Sequence, residues 1–212
     1  MKRNKAYLWA SVCFILAFAA WTAVVLLMDV QPIGPEGTKV GMAALNGYFH
    51  GITGVHMELY LLTDWLSLIP IGIISLFGVV GLCQWIKVKK LFKVDADVLG
   101  LGVFYILVLA TFCVFEVVVI NYRPVLINGV LEASYPSSTT MLVMTVMPTA
   151  VMQIKRRIKQ PVLAHILIAV CVAYTAFMVI GRLISGVHWL TDIIGGGLFS
   201  GAACLGYRAF LK

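Results

Sequence analysis

Six apolar segments constrain this chain more than any other feature: residues 7–28, 66–86, 98–120, 137–154, 162–180 and 188–210. Each is close to the roughly 20 residues that carry an α-helix across a bilayer core. No water reaches that core, so every backbone N–H and C=O needs an internal partner, and a helix supplies them all within one segment. The expected fold class is all-α: a polytopic membrane helical bundle of six transmembrane helices, forming a single integral membrane domain over 1–212. Composition agrees, with 61% hydrophobic and 12% charged residues, where soluble domains carry about a quarter charged. Pro70, Pro148 and Gly195 to Gly197 fall inside the segments; membrane helices tolerate such residues at kinks and close contacts. Gly197 and Gly201 have the small-residue spacing that lets helices approach. The first segment follows Met1-Lys2-Arg3-Asn4-Lys5 in the manner of a signal peptide, but it is longer than a signal core and is read as a span.

The basic residues orient the bundle. Lys2, Arg3 and Lys5 precede the first segment, Lys87, Lys89, Lys90 and Lys93 follow the second, Lys155, Arg156, Arg157 and Lys159 follow the fourth, and Arg208 and Lys212 close the sixth. With both termini cytoplasmic, all of these fall on the inner side, and only Lys39, Arg123 and Arg182 fall outside, in accord with the positive-inside rule. The net charge of +7 is thus an orientation signal, and no nucleic-acid partner is expected. Cys13, Cys83, Cys113, Cys171 and Cys204 lie inside apolar runs without metal-ligand spacing and are read as small buried residues. The outer side carries a long loop, 29–65. It opens on the turn-rich Gln31-Pro32-Ile33-Gly34-Pro35-Glu36-Gly37. Its end, 54–65, is spaced for a helix that lies in the interface or extends the second span.

Arg123 and Arg182 break the charge rule, each where a segment leaves the membrane. Two readings stay open: snorkelling to headgroups, or a pair of guanidiniums converging on a phosphate, whose oxygens match the planar fork. His188 and Asp192 lie four apart at the start of a helix and share one face. That spacing suits a structural hydrogen bond. It equally suits a carboxylate that fixes the imidazole tautomer and leaves the other nitrogen free as base or nucleophile. The segment Ser134-Tyr135-Pro136-Ser137-Ser138-Thr139-Thr140 offers hydroxyls and a proline that cap a helix, and free amides at a helix start also bind anions. His50 and His56, in the long loop, are read as interfacial or structural, and His165 as structural.

These residues resemble the type-2 phosphatidic acid phosphatases, a family that shares a core with vanadium haloperoxidases and is marked by K-x6-R-P, P-S-G-H and S-R-x5-H-x3-D. The third motif reads Gly181-Arg182, five residues, His188, three residues, Asp192; only its first serine differs. The first reads Glu116, six residues, Arg123-Pro124, and the second reads Pro136-Ser137-Ser138-Thr139. The resemblance covers a phosphatase-like core, 66–212. It implies that His188 attacks phosphorus to form a phosphohistidine, that Asp192 orients it, and that Arg123 and Arg182 bind phosphate oxygens and stabilise transition-state charge. Ser137, and the backbone at Ser138, would donate to the same oxygens. No metal and no cofactor are implied. Two positions depart from the family: Glu116 stands where a phosphate-binding lysine is expected, and Thr139 where a histidine acts as general acid. A threonine hydroxyl is a poor acid, and general acid catalysis is worth about 10²–10⁴-fold.

The resulting expectation is a multi-pass plasma-membrane hydrolase with its site on the extracytoplasmic face. It would hydrolyse a membrane lipid phosphate or diphosphate, of the phosphatidic acid or polyprenyl diphosphate type. The missing acid favours a diphosphate, whose phosphate leaving group needs less protonation than an alkoxide. Three alternatives remain: a catalytically weakened lipid-phosphate binding protein, a transporter component, or a phosphotransferase.

Overall fold

The computed structural model describes residues 2–211. Met1 and Lys212, and the side chains of Lys2, Arg3 and Phe92, lie outside the described residues, and with them three of the charges used to orient the chain. The described residues form eight α-helices and no strand: α1 (Lys2–Leu27), α2 (Ala43–Thr53), α3 (Met57–Leu66), α4 (Leu68–Val88), α5 (Ala96–Val117), α6 (Ser138–Arg157), α7 (Pro161–Ile184) and α8 (Leu190–Phe210). A helix therefore occupies every apolar segment. By length and composition, four stretches suffice to cross a membrane: Asn4–Leu27, Met57–Val88, Ala96–Val117 and Pro161–Ile184. The second joins α3 to α4 through Ser67, whose helical backbone lets the outer-loop helix extend the span.

The helices sort by polarity. The four apolar stretches present much of their surface outward, with residues such as Leu16, Leu76, Ile106 and Val170 exposed. The less apolar α6 and α8 lie between them, and their Thr140, Thr145, Thr149, Thr191 and Ser200 are buried. A helix covered by other helices is screened from lipid, so hydroxyls cost little there provided they are bonded. Ser200 Oγ donates to the Met141 carbonyl at 3.0 Å, and Thr149 Oγ1 to the Thr145 carbonyl at 2.8 Å. Pro148 has no N–H to give the Met144 carbonyl one turn back; the Cys204 thiol takes that acceptor at 3.3 Å.

Small residues set the spacing of the inner pair. A Cβ on Gly195 would stand 2.6 Å from the Tyr135 ring, and one on Gly196 3.1 Å from the Ser137 carbonyl. These glycines let the segment that enters α6 lie directly on the start of α8. The pair expected to mediate one close contact divides its work instead: Gly197 faces Met144 of α6, while Gly201 faces Phe14 of α1.

Hydrogen bonds fix which helix ends meet. Arg157 at the end of α6 pairs with Asp95 and Asp97 at the start of α5, and Asn4 donates to the Leu211 carbonyl. These contacts, with Gln84 to Asp95, bring the starts of α1 and α5 and the ends of α4, α6 and α8 together at one end of the bundle. At the other end Trp21 donates to the Thr191 carbonyl at 3.1 Å, and Thr22 bonds the Tyr135 hydroxyl at 2.7 Å.

Candidate active site

Three connections meet at that second end: the stretch after α5, the turn between α7 and α8, and the long segment 29–67. After α5 the chain folds back on itself through the isolated bridges Tyr122↔Ala133 and Ile127↔Val130. Arg123 N–H donates to the Glu132 carbonyl at 3.0 Å, and the Arg123 guanidinium also pairs with the Glu132 carboxylate at 3.0 Å. Between α7 and α8, Gly186 takes φ +67, and its missing Cβ would meet the Gly54 carbonyl at 1.8 Å. Only glycine fits that turn, on conformation and on space. It delivers His188 into the interior, 4% exposed.

Around His188 the polar groups form a chain. Ser134 Oγ lies 3.1 Å from His188 Nδ1 and donates to Asp192 Oδ2 at 2.5 Å. The direct separation of His188 Nδ1 and Asp192 Oδ2 is 3.7 Å, beyond a normal hydrogen bond. Ser134 therefore mediates between imidazole and carboxylate. A hydroxyl has one proton. Since Ser134 gives it to Asp192, it accepts from Nδ1–H, and the lone pair is left on Nε2. Arg123 Nη1 stands 3.3 Å from that Nε2. Asp192 Oδ2 also accepts from the Trp189 N–H at 2.8 Å, closing the first turn of α8. The same oxygen thus anchors both the helix start and the relay. Burial pushes the His188 imidazole well below its ordinary value of 6.5, and the Arg123 and Arg182 charges add to this. It is neutral at pH 7, the form a nucleophile requires.

Arg182 is 1% exposed. Its Nη2 donates to Asp64 Oδ1 at 2.8 Å, while Nε and Nη1 have no hydrogen-bond partner. Tyr60 lies beside both guanidiniums, with its ring centroid 4.9 Å from Arg182 Cζ and 5.8 Å from Arg123 Cζ. A π-face accepts cations without neutralising them. The long segment 29–67 therefore packs against both guanidiniums through α3, a contact no local sequence pattern announces.

A cavity of about 250 Å³ opens beside His188, lined among others by Glu116, Arg123, Glu132, Ser134 and Ser138. Of the motif residues, Glu116, Arg123, Pro136, Ser138 and His188 share this wall, and Arg182 and Asp192 stand behind it. Ser137 does not: it is fully buried, caps α6 by accepting from the Thr140 N–H at 3.4 Å, and donates its own N–H to the Asp192 carbonyl at 3.1 Å. Thr139 is buried in α6 and is not among the lining residues. His50 packs edge-on against Trp189, His56 bonds the Thr53 carbonyl, and neither reaches the cavity.

The fold and the site together define a class, an all-helical membrane-type bundle with a buried histidine–arginine centre at one end. The chain belongs to the PAP2 superfamily, whose family model matches residues 100–212; the kinship read from the motifs is thereby shown. Among solved structures, it is similar to the crystal structure of the first transmembrane PAP2 type phosphatidylglycerolphosphate phosphatase from Bacillus subtilis. The TM-score is 0.55 at 20% sequence identity, covering 95% of this chain and 94% of that one. Comparison with curated proteins gives no match.

Proposed function

We propose that this protein is an integral membrane phosphatase that hydrolyses a lipid phosphate or diphosphate through a phosphohistidine on His188. The observation that carries the reading is the placement of the unprotonated Nε2 of His188 at the cavity, beside Arg123, with its tautomer set by the Ser134–Asp192 relay. Nε2 attacks phosphorus as the bond to the leaving oxygen breaks. Water then hydrolyses the phosphorus–nitrogen bond and returns the free histidine. Arg123 and the two unpartnered nitrogens of Arg182 are the donors for the phosphate oxygens. Ser138 stands at the cavity wall as a further donor. No step in this scheme requires a metal.

The lipid headgroup enters from the bilayer. The positive-inside distribution supports six spans with both termini cytoplasmic and the site on the extracytoplasmic face of the plasma membrane. A diphosphate of the polyprenyl type suits the site better than a monoester, because Thr139 supplies no acid for an alkoxide leaving group. The bacterial structural neighbour is a phosphatidylglycerolphosphate phosphatase, which favours the lipid-phosphate class. A second reading, a lipid-phosphate binding protein without turnover, is favoured by the acids around the cations: Glu132 on Arg123, Asp64 on Arg182, and Glu116 in the cavity wall.

The test is phosphate release from lipid monoester and diphosphate substrates by the purified protein, with trapping of the phosphoenzyme in a denaturing quench at alkaline pH. The proposal expects a base-stable, acid-labile phosphohistidine and a loss of at least about a thousandfold in His188→Ala. Equal release by wild type and variant rejects His188 as nucleophile. Tight lipid-phosphate binding without a covalent intermediate establishes the binding protein instead.

A further inference from the structure

A second cavity, of about 900 Å³, runs along α6, α7 and the end of α8, and shares no lining residue with the His188 site. On α6 it extends from Met144 to Arg156, about 18 Å at 1.5 Å per residue. That is close to one leaflet's half of a bilayer core of about 30 Å. Its floor is apolar and compliant, built from Met147, Met152 and Val179 among others. Methionine suits a surface that accommodates a flexible chain. No acidic residue lines it, and its inner end is rimmed by Lys155, Arg156 and Arg208.

These cations are placed by the fold rather than scattered. Arg156 lies 3.5 Å from Asp97, and Arg208 sits over the Tyr7 ring at 5.4 Å, a contact that positions its charge without cancelling it. Neither Lys155 nor Arg208 has a carboxylate partner among the described residues. An apolar trough of leaflet length with a basic rim at its end matches an acyl chain that carries an anionic head. A second copy packed on this face by a two-fold axis would set the basic rim against itself.

We propose that the groove binds one anionic phospholipid of the inner leaflet, with an acyl chain along α6 and α7 and its phosphate at Lys155, Arg156 and Arg208. Basic pockets between helices on the cytoplasmic side recognise such headgroups. The site is independent of the His188 chemistry and holds whether or not the protein turns over a substrate.

The full-length protein in detergent is mixed with equal amounts of phosphatidylcholine and phosphatidylglycerol, and the retained lipid is read by native mass spectrometry. The wild type is expected to retain phosphatidylglycerol preferentially. K155Q/R208Q should retain it roughly thirtyfold less well, which is about 2 kcal/mol for two cations at the membrane surface. Thr175→Trp fills the trough, leaves each cation in place, and should lose retention as well. Thermal melting confirms that each variant is folded; if the double variant is not, K155Q alone should show about a fivefold loss. Equal retention of the two lipids by wild type overturns the proposal. So does unchanged retention in the folded charge variant, in Thr175→Trp, or a protein dimer in place of bound lipid.

Discussion

Charged networks mark both ends of this bundle: the Arg157 end closes its network, while the His188 end leaves donors open. Arg157 donates to Gln153 at 2.7 Å, to Asp97 at 2.9 Å and to Asp95 at 3.3 Å. Gln153 in turn donates to the Tyr207 hydroxyl, which donates to the Asp97 carbonyl at 3.0 Å. Helices α5, α6 and α8 are tied together by one continuous set of partners. At the His188 end Arg182 is buried more deeply than Arg157, yet only Nη2 is engaged. A buried donor left unpaired costs about 1–3 kcal/mol. The Arg157 guanidinium is shared among several acceptors, whereas Arg182 keeps two nitrogens open close to a neutral histidine, where an anion would complete the set.

The sharpest way to break this contrast is at Ser134. Ser134→Ala removes the hydroxyl that bridges His188 and Asp192, so the imidazole loses its fixed tautomer. Phosphate release should fall about tenfold to a hundredfold, the usual cost of removing a group that orients an active residue. The pH profile separates positioning from packing. In the wild type, His188 stays neutral as pH falls through 6.5 because burial depresses its pKa. The acid limb of kcat/KM should therefore lie well below 6.5. A limb near 6.5 would mean that the histidine is neither buried nor close to the arginines in the working enzyme. In Ser134→Ala the limb should move, whereas a merely structural defect would lower the rate at every pH alike.

Glu116 tests the other side of the contrast, the acids that crowd the open donors. It lines the cavity and stands in the family's lysine position. Glu116→Lys exchanges a repelling charge for an attracting one near the phosphate. At a partly solvated site each unit charge is worth about 1 kcal/mol and the exchange changes two, so kcat/KM for a lipid phosphate should rise about thirtyfold. A fall would show that the carboxylate contributes to binding, for instance by meeting a cation on the substrate.

Much of this was legible in the chain and part of it was not. A helix covers each apolar segment because segment length and apolarity fix a helix locally, and the extension of the second span through 54–65 follows from the same periodicity. The motif spacing drew attention to Arg123, Arg182 and His188, since loop entry and helix start are local features. Helix α2 left no clear trace: Gly47 and Gly51 weaken its propensity, and it is held by Asn46, which donates to the Gly41 carbonyl and to Thr191. Ser134 looked like one hydroxyl in a capping segment; its place between His188 and Asp192 depends on how two distant connections meet. Asp64 and Tyr60 were equally silent, because no local pattern marks a residue whose partner lies on another helix. Ser137 reads as a phosphate donor from its motif position; its N–H is engaged by the Asp192 carbonyl, while its hydroxyl oxygen accepts from the Thr140 N–H.

The smallest effect on turnover is expected at the Arg157 end, and it is the control on which the comparison rests. Asp97→Asn leaves Arg156 and Arg157 without their shared carboxylate. Asp97 is 13% exposed and Arg157 36%, so solvent screens part of the loss. About 1–2 kcal/mol of stability should go, read as a lower midpoint in a denaturation series, with the rate per folded molecule within twofold of wild type. The amide retains hydrogen-bonding capacity, so the helices should still meet. A large fall in turnover at full folding would show that the closed network transmits strain to His188. The two ends would then be one coupled unit rather than a structural clamp and a separate site.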